Sequence, residues 1–210
     1  YGLPAGSSRD LSIHESQSRL WENHVARSKE FWKHFTPKLQ EMSQFEDAEP
    51  EQLWNSINRV KEENLIRVEA DEVSYHLHIY LRYSLERKLI NREIEVEELP
   101  ERWNDRMEEL LGLRPSNDVE GVLQDIHWYQ GSIGYFTTYS LGSVLSAQIY
   151  EAMEEEVEGL DEKIGEGEFE ELRNWLKENI HSKGSLYKTE DLIEQATGEK
   201  LNPDHFLEYI

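Results

Sequence analysis

A chain of 210 residues is long enough to bury a core, and its six Trp, ten Tyr and six Phe argue against disorder although 44 acidic residues outnumber 22 basic ones. A formal net charge of -22 leaves no basic footprint, which excludes nucleic acid and an anionic membrane surface as expected partners. Cysteine is absent, so any metal must be held by oxygen or nitrogen, and with no apolar run near the ~20 residues of a membrane span and no visible signal peptide the expected location is the cytoplasm.

The first ten residues, rich in Gly, Pro and Ser, read as a loop. A helix follows, with Ser12 as its N-cap and Glu15 three residues on as the capping-box partner. Leu20, Trp21, Val25, Phe31, Trp32 and Phe35 recur at helical spacing, and Pro37 is expected to end the helix. Glu15, Arg19 and Glu22 share one face of it. From these residues alone Glu15 is more often a cap; the other reading is a metal ligand steadied by Arg19.

Leu53, Trp54, Ile57 and Val60 predict a second helix from Pro50 to Asn64. A long third helix is predicted from Ile66 to Ile90, with Ala70, Val73, Leu77, Leu81 and Leu85 inward and Arg67, Asp71, His78 and Arg82 on a polar face. Arg67 and Asp71, four apart, are either an ordinary ion pair or an arginine fork that Asp71 positions to hold a carboxylate. Leu99-Pro100 opens another helix, with Trp103, Met107 and Leu110 inward and Gly112 as its stop.

Residues 113–136 are punctuated by Pro115, Gly121, Gly131 and Gly134, and a loop of that length tends to be functional. Within it, Asp125 is placed to accept a ring N–H from a histidine, and His127 with Tyr135 or Tyr139 could donate to a developing oxyanion; an aromatic core element is an equal reading. A helix is then expected from Thr137 into the run Glu154–Glu156, broken by Gly165 and Gly167, followed by one over Phe169 to Ile180. Thr189 and Asn202-Pro203 are expected caps of two last short helices. No alternating strand and no repeat is present, so the fold class is all-α.

Three blocks carry a resemblance: His14-Glu15-Ser16-Gln17 with Trp21-Glu22-Asn23, then Ile66-Arg67-Val68-Glu69-Ala70-Asp71, then Gly121-Val122-Leu123-Gln124-Asp125-Ile126-His127-Trp128. In that order they resemble the Taq-type zinc metallocarboxypeptidases, and the similarity runs from Tyr1 to Ile210. The resemblance implies a helical, zincin-like metallopeptidase with a deep substrate cleft. It implies zinc, or cobalt, as the metal, with Glu15 as a ligand. It also implies Arg67 against the free C-terminal carboxylate of a peptide substrate, and His127 with Tyr139 or Tyr135 at the scissile carbonyl. Asp71, Asp125, Arg19 and Gln124 would support these groups. A homodimer and a preference for C-terminal residues other than Pro come with the family. One departure stands out: no histidine of this chain opens the family's HExxH site. Residues 1–210 are therefore expected to be the C-terminal portion of one catalytic domain, with HExxH in a missing N-terminal half, and inactive alone. The rival expectation is a non-catalytic acidic helical scaffold.

Overall fold

The computed structural model describes residues 2–3 and 6–210. Among the described residues the regular structure is helical and no strand occurs. The α-helices are α1 (Leu11–Arg19), α2 (Lys29–Gln40), α3 (Pro50–Ile57), α4 (Glu72–Ile90), α5 (Leu99–Leu111), α6 (Thr137–Glu156), α7 (Leu160–Glu166), α8 (Glu170–Asn179), α9 (Thr189–Thr197) and α10 (Asp204–Tyr209). None of the described helices is long and apolar enough to cross a membrane. They form two compact units, one of Tyr1–Asn58 with Leu141–Ile210, the other of Arg59–Ser140.

In the first unit the cap of α1 is Asp10, not Ser12. The Asp10 carboxylate accepts from Ile13 N at 3.0 Å and from Ser12 Oγ at 2.8 Å, and from the Thr189 hydroxyl as well. Glu15 is thus released from the capping role. Nor does the first helix run through to Pro37. Residues Leu20–Val25 form a π-helical segment, closed by Ala26 N bonding Trp21 O at 2.9 Å. The wider turn lets Leu20, Asn23, His24 and Val25 all be buried. Ser28 then starts α2 by accepting from Phe31 N at 3.1 Å. That helix passes through Pro37 and ends at Gln40, because a single missing N–H is outweighed by packing against α3 and α7.

The segment α3 stops at Ile57, short of Asn64. Asn58 Nδ2 donates to Trp54 O and Arg27 O, both at 3.0 Å, and Val60 beyond it is exposed. The core of the unit is Leu145, Ile149 and Met153 of α6 against Leu20, Ile164, Leu172 and Leu176, all essentially inaccessible. Each such side chain contributes about 1.5–3 kcal/mol of transfer free energy. The expected break at Gly165 falls earlier: α6 ends at Glu156, Gly159 (φ +71) leads into α7, and Gly165 lies inside α7, which Gly167 closes. The cap of α9 is Lys188, one residue before the expected Thr189, while Pro203 of the expected Asn202-Pro203 pair caps α10.

In the second unit α4 begins at Glu72 rather than Ile66. Asp71 is its N-cap, accepting from Val73 N at 3.1 Å and Ser74 N at 2.9 Å, and Arg67–Glu69 is a separate 3-10 turn. The inward face follows the apolar stepping only in part: Leu81 and Leu85 are buried as expected. Val73 is 44% and Leu77 39% exposed, while Tyr75, His78, Ile79, Arg82, Leu85 and Glu86 are buried. Helix α5 matches its sequence signals: Pro100 in the first turn, Trp103 and Met107 inward, and Gly112 in the left-handed region (φ +69) as the stop. Arg114 fastens the following loop to α5 through Glu101, Asp105 and Glu108 at 2.6, 2.9 and 3.0 Å.

Candidate active site

In the first unit, Glu15 stands on the middle turn of α1. Its Oε1 lies 3.3 Å from Arg19 Nε, and Arg19 Nη1 lies 3.3 Å from Glu22 Oε2, so the expected three-residue face exists. The Glu15 side chain is 19% exposed. Helix α6 approaches it at Gly142: a Cβ there would lie 2.8 Å from Glu15 Cβ and Cγ. Glycine is required for that approach.

In the second unit the organising residue is Asp125. Its Oδ1 accepts from Arg67 Nε (3.1 Å) and Nη2 (2.6 Å); its Oδ2 accepts from Arg82 Nε (2.6 Å) and is 2.5 Å from Arg82 Nη2. Burial alone would raise its pKa, but the bonds and charges of the two guanidiniums outweigh it and hold the carboxyl below its usual range. Gln124 completes the frame. Its Oε1 accepts from Arg67 N (2.9 Å) and Arg82 Nη2 (2.8 Å), and its Nε2 donates to Leu65 O (3.1 Å) and Glu120 O (2.8 Å).

Two expected pairings are therefore corrected. Arg67 does not pair with Asp71, whose carboxylate is taken by the N-terminus of α4 and by Asn64 Nδ2 at 2.7 Å. Asp125 does not accept the His127 ring N–H, since Oδ1 and Nδ1 are 3.8 Å apart, beyond hydrogen-bond range. What His127 has is Tyr139: Nε2 and the phenol oxygen are 2.9 Å apart. Its ring packs against Tyr135 and Phe136, with centroids at 5.1 and 4.5 Å. Burial lowers the His127 pKa, Arg67 and Arg82 add to the lowering, and Asp125 and Glu86 oppose it. Arg67 is 6% exposed, with Nη1 donating to Tyr75 OH at 2.8 Å and the guanidinium 4.9 Å from the Tyr139 ring centroid.

His76 is half-buried, its Nδ1 2.9 Å from Ser140 Oγ. His78 is fully buried, and its carbonyl accepts from Arg82 Nη1 at 2.9 Å. Burial and the Arg82 charge push its pKa down to about 4. Sequence reasoning placed Arg82 only on a polar face and missed Tyr75 and Glu86 altogether. Glu86 is buried and accepts from Trp128 Nε1 at 2.7 Å and Gly134 N at 2.6 Å. The signal was present: His78, Arg82 and Glu86 step by four, which makes a polar stripe along one face.

The described residues are helical, and the chain matches the family described as Carboxypeptidase Taq (M32) metallopeptidase over residues 1–210, which sets its class as a helical metallopeptidase. The chain belongs to that family. It is 45% identical over 208 residues to Thermostable carboxypeptidase 1 of Pyrococcus furiosus, covering 99% of this chain and 42% of that protein. It is 40% identical over 211 residues to Carboxypeptidase 1 of Bacillus subtilis, covering 100% and 42%. Among solved structures, the M32 carboxypeptidase of Deinococcus radiodurans superposes with a TM-score of 0.92 at 39% identity, covering 97% of this chain and 41% of that one. The chain thus spans about two fifths of the length of the relatives it matches.

A metallopeptidase family implies a metal. Among the described residues no group of three or more His, Asp or Glu is placed to hold one. Glu15 fits one position of a ligand set. Its carboxylate is only partly covered, and Arg19 on one side and the close approach of Gly142 on the other fix its stem.

Proposed function

We propose that the protein is a metal-dependent carboxypeptidase that releases C-terminal amino acids from peptides, with zinc as its metal and cobalt able to replace it. The observation that carries this reading is the family match over all 210 residues. The proposed division of roles follows the motif blocks. Glu15 donates a carboxylate oxygen to the metal, which when bound supplies Lewis acidity and a water of lowered pKa. A guanidinium has five N–H donors. Those of Arg67 that Asp125 and Tyr75 leave unused hold the substrate's terminal carboxylate. His127 and Tyr139 share one hydrogen bond between them, and the pair donates to the oxyanion as the carbonyl becomes tetrahedral, with Tyr135 packed beside it. Asp125 and Gln124 hold Arg67 for this task, and Arg19 holds Glu15.

The reading is tested in the intact protein by Glu15→Ala. Bound zinc and carboxypeptidase activity should both be lost while helix content is kept. Full zinc occupancy in that variant would remove Glu15 from the ligand set. On the same reading the intact enzyme is a homodimer, which sedimentation equilibrium checks.

A further inference from the structure

We propose that Glu86 is a positioning residue that staples the turn between Trp128 and Gly134 and so sets the place of His127 and Tyr135. The inference rests on the reading of the His127–Tyr139 pair as oxyanion donors. Glu86 projects from α4 into the loop, and its two oxygens are used at different ends of it. Oε2 takes the indole N–H of Trp128 at 2.7 Å, and Oε1 takes the backbone N–H of Gly134 at 2.6 Å. His127 immediately precedes the first anchor and Tyr135 immediately follows the second. Gly134 has φ +79, a conformation other residues avoid, and in it the backbone N–H reaches the carboxylate. The Trp128 ring is itself fixed edge-on against Trp103 and Phe136, at 6.1 and 5.9 Å.

A carboxylate has a specific advantage here. It accepts at both oxygens, whereas an amide accepts at one end and donates at the other. Its bonds are charge-assisted, hence stronger and geometrically tighter. An anchor whose task was only to close a loop would not require a buried charge.

The experiment uses the intact, metal-loaded enzyme. Glu86→Gln keeps the shape but sets an amide N–H against one of the two donors. Expected are a fall in kcat on the order of 10²-fold, as for a misplacement of about 1 Å, with KM little changed. The Trp128 indole or Gly134 amide resonance should move upfield. Glu86→Asp, which keeps both acceptors, should recover part of kcat. Trp128→Phe removes the indole N–H together with part of the ring while leaving an aromatic side chain in place, and should show the same kcat-selective loss, so the test survives if Glu86→Gln does not fold. Wild-type kcat in Glu86→Gln or Trp128→Phe would overturn the inference, as would equal losses in kcat and in melting temperature without recovery by Asp. His127→Gln and Tyr139→Phe test the underlying reading separately. If these two keep wild-type kcat while Glu86→Gln loses it, the staple stands and the oxyanion donors lie elsewhere on the loop.

Discussion

A methyl group on Gly142 would lie 2.8 Å from both Cβ and Cγ of Glu15 and 3.1 Å from its carbonyl carbon. In an exposed helix interior, alanine would be favoured over glycine by about 1 kcal/mol. Here the overlap is with a neighbouring helix's stem and backbone, which cannot swing away as a side-chain tip can. Gly142→Ala should therefore lower the melting temperature instead of raising it. With Glu15 as ligand, it should also weaken zinc binding about 10–100-fold in chelator competition. A more stable variant with unchanged affinity would mean that α6 yields at this point.

Asp125 is the counter-charge of two buried guanidiniums, so Asp125→Asn leaves both under-compensated. Loss of one partner of a buried pair costs about 3–5 kcal/mol, to be read by urea unfolding. The pH dependence has a definite sign. The folded pKa is depressed, so the stabilisation is complete above the unfolded value of about 3.9 and is lost as pH falls through the folded value. The difference in stability between wild type and Asp125→Asn should be constant from pH 5 to 7 and shrink only in stronger acid. A difference that vanished already at pH 5 would contradict this.

Arg67→Lys replaces a planar fork with a point charge. It breaks the Nε and Nη2 bonds to Asp125 as well as any bond to substrate. On the proposed role, kcat/KM for peptides with free C-termini should fall on the order of 10²-fold, with circular dichroism retained. Unchanged kcat/KM on such peptides would assign carboxylate recognition to another residue.

His24 lies buried on the π-helical segment, its ring stacked on Tyr150 at 4.9 Å and tilted against Tyr209 at 4.3 Å. Burial pushes its pKa down to about 3. Below the unfolded value of about 6.5 the unfolded chain binds a proton that the folded chain refuses, so stability should fall as pH drops, by about 1.4 kcal/mol per pH unit, until pH 3. His24→Phe preserves the stacking and removes the titration. Between pH 6.5 and 4 its stability should fall less steeply than that of wild type by one proton's worth. Parallel slopes would show that His24 is protonated in the fold.

Ligand count sets a further expectation for residues 1–210 taken alone. Catalytic zinc usually holds three protein ligands. The described residues present no such group, and Glu15 is a single donor. After dialysis the isolated 210 residues should carry well under one zinc per chain and release no amino acid from a blocked dipeptide. Stoichiometric zinc with turnover would reveal a ligand set formed by other residues.

Much of the helical layout is legible in the sequence because its signals are local. Pro100 and Gly112 bracket α5 through backbone geometry that depends on those residues alone. The face shared by Glu15, Arg19 and Glu22 needs only the helical repeat. The motif blocks also name the residues that meet: Arg67, Gln124 and Asp125 are in contact. Which acid meets which arginine was a different matter. Spacing paired Arg67 with Asp71, but the free N–H groups at the start of α4 took Asp71, and Arg67 found Asp125, 58 residues away. The polar face of α4 that carries His78 and Arg82 is buried, with Glu86 one turn further on, while Val73 and Leu77, read as inward, are exposed. The local code reports where a helix starts, stops and repeats. The partner that satisfies a buried charge comes from another part of the chain, and only tertiary packing brings it within hydrogen-bond range.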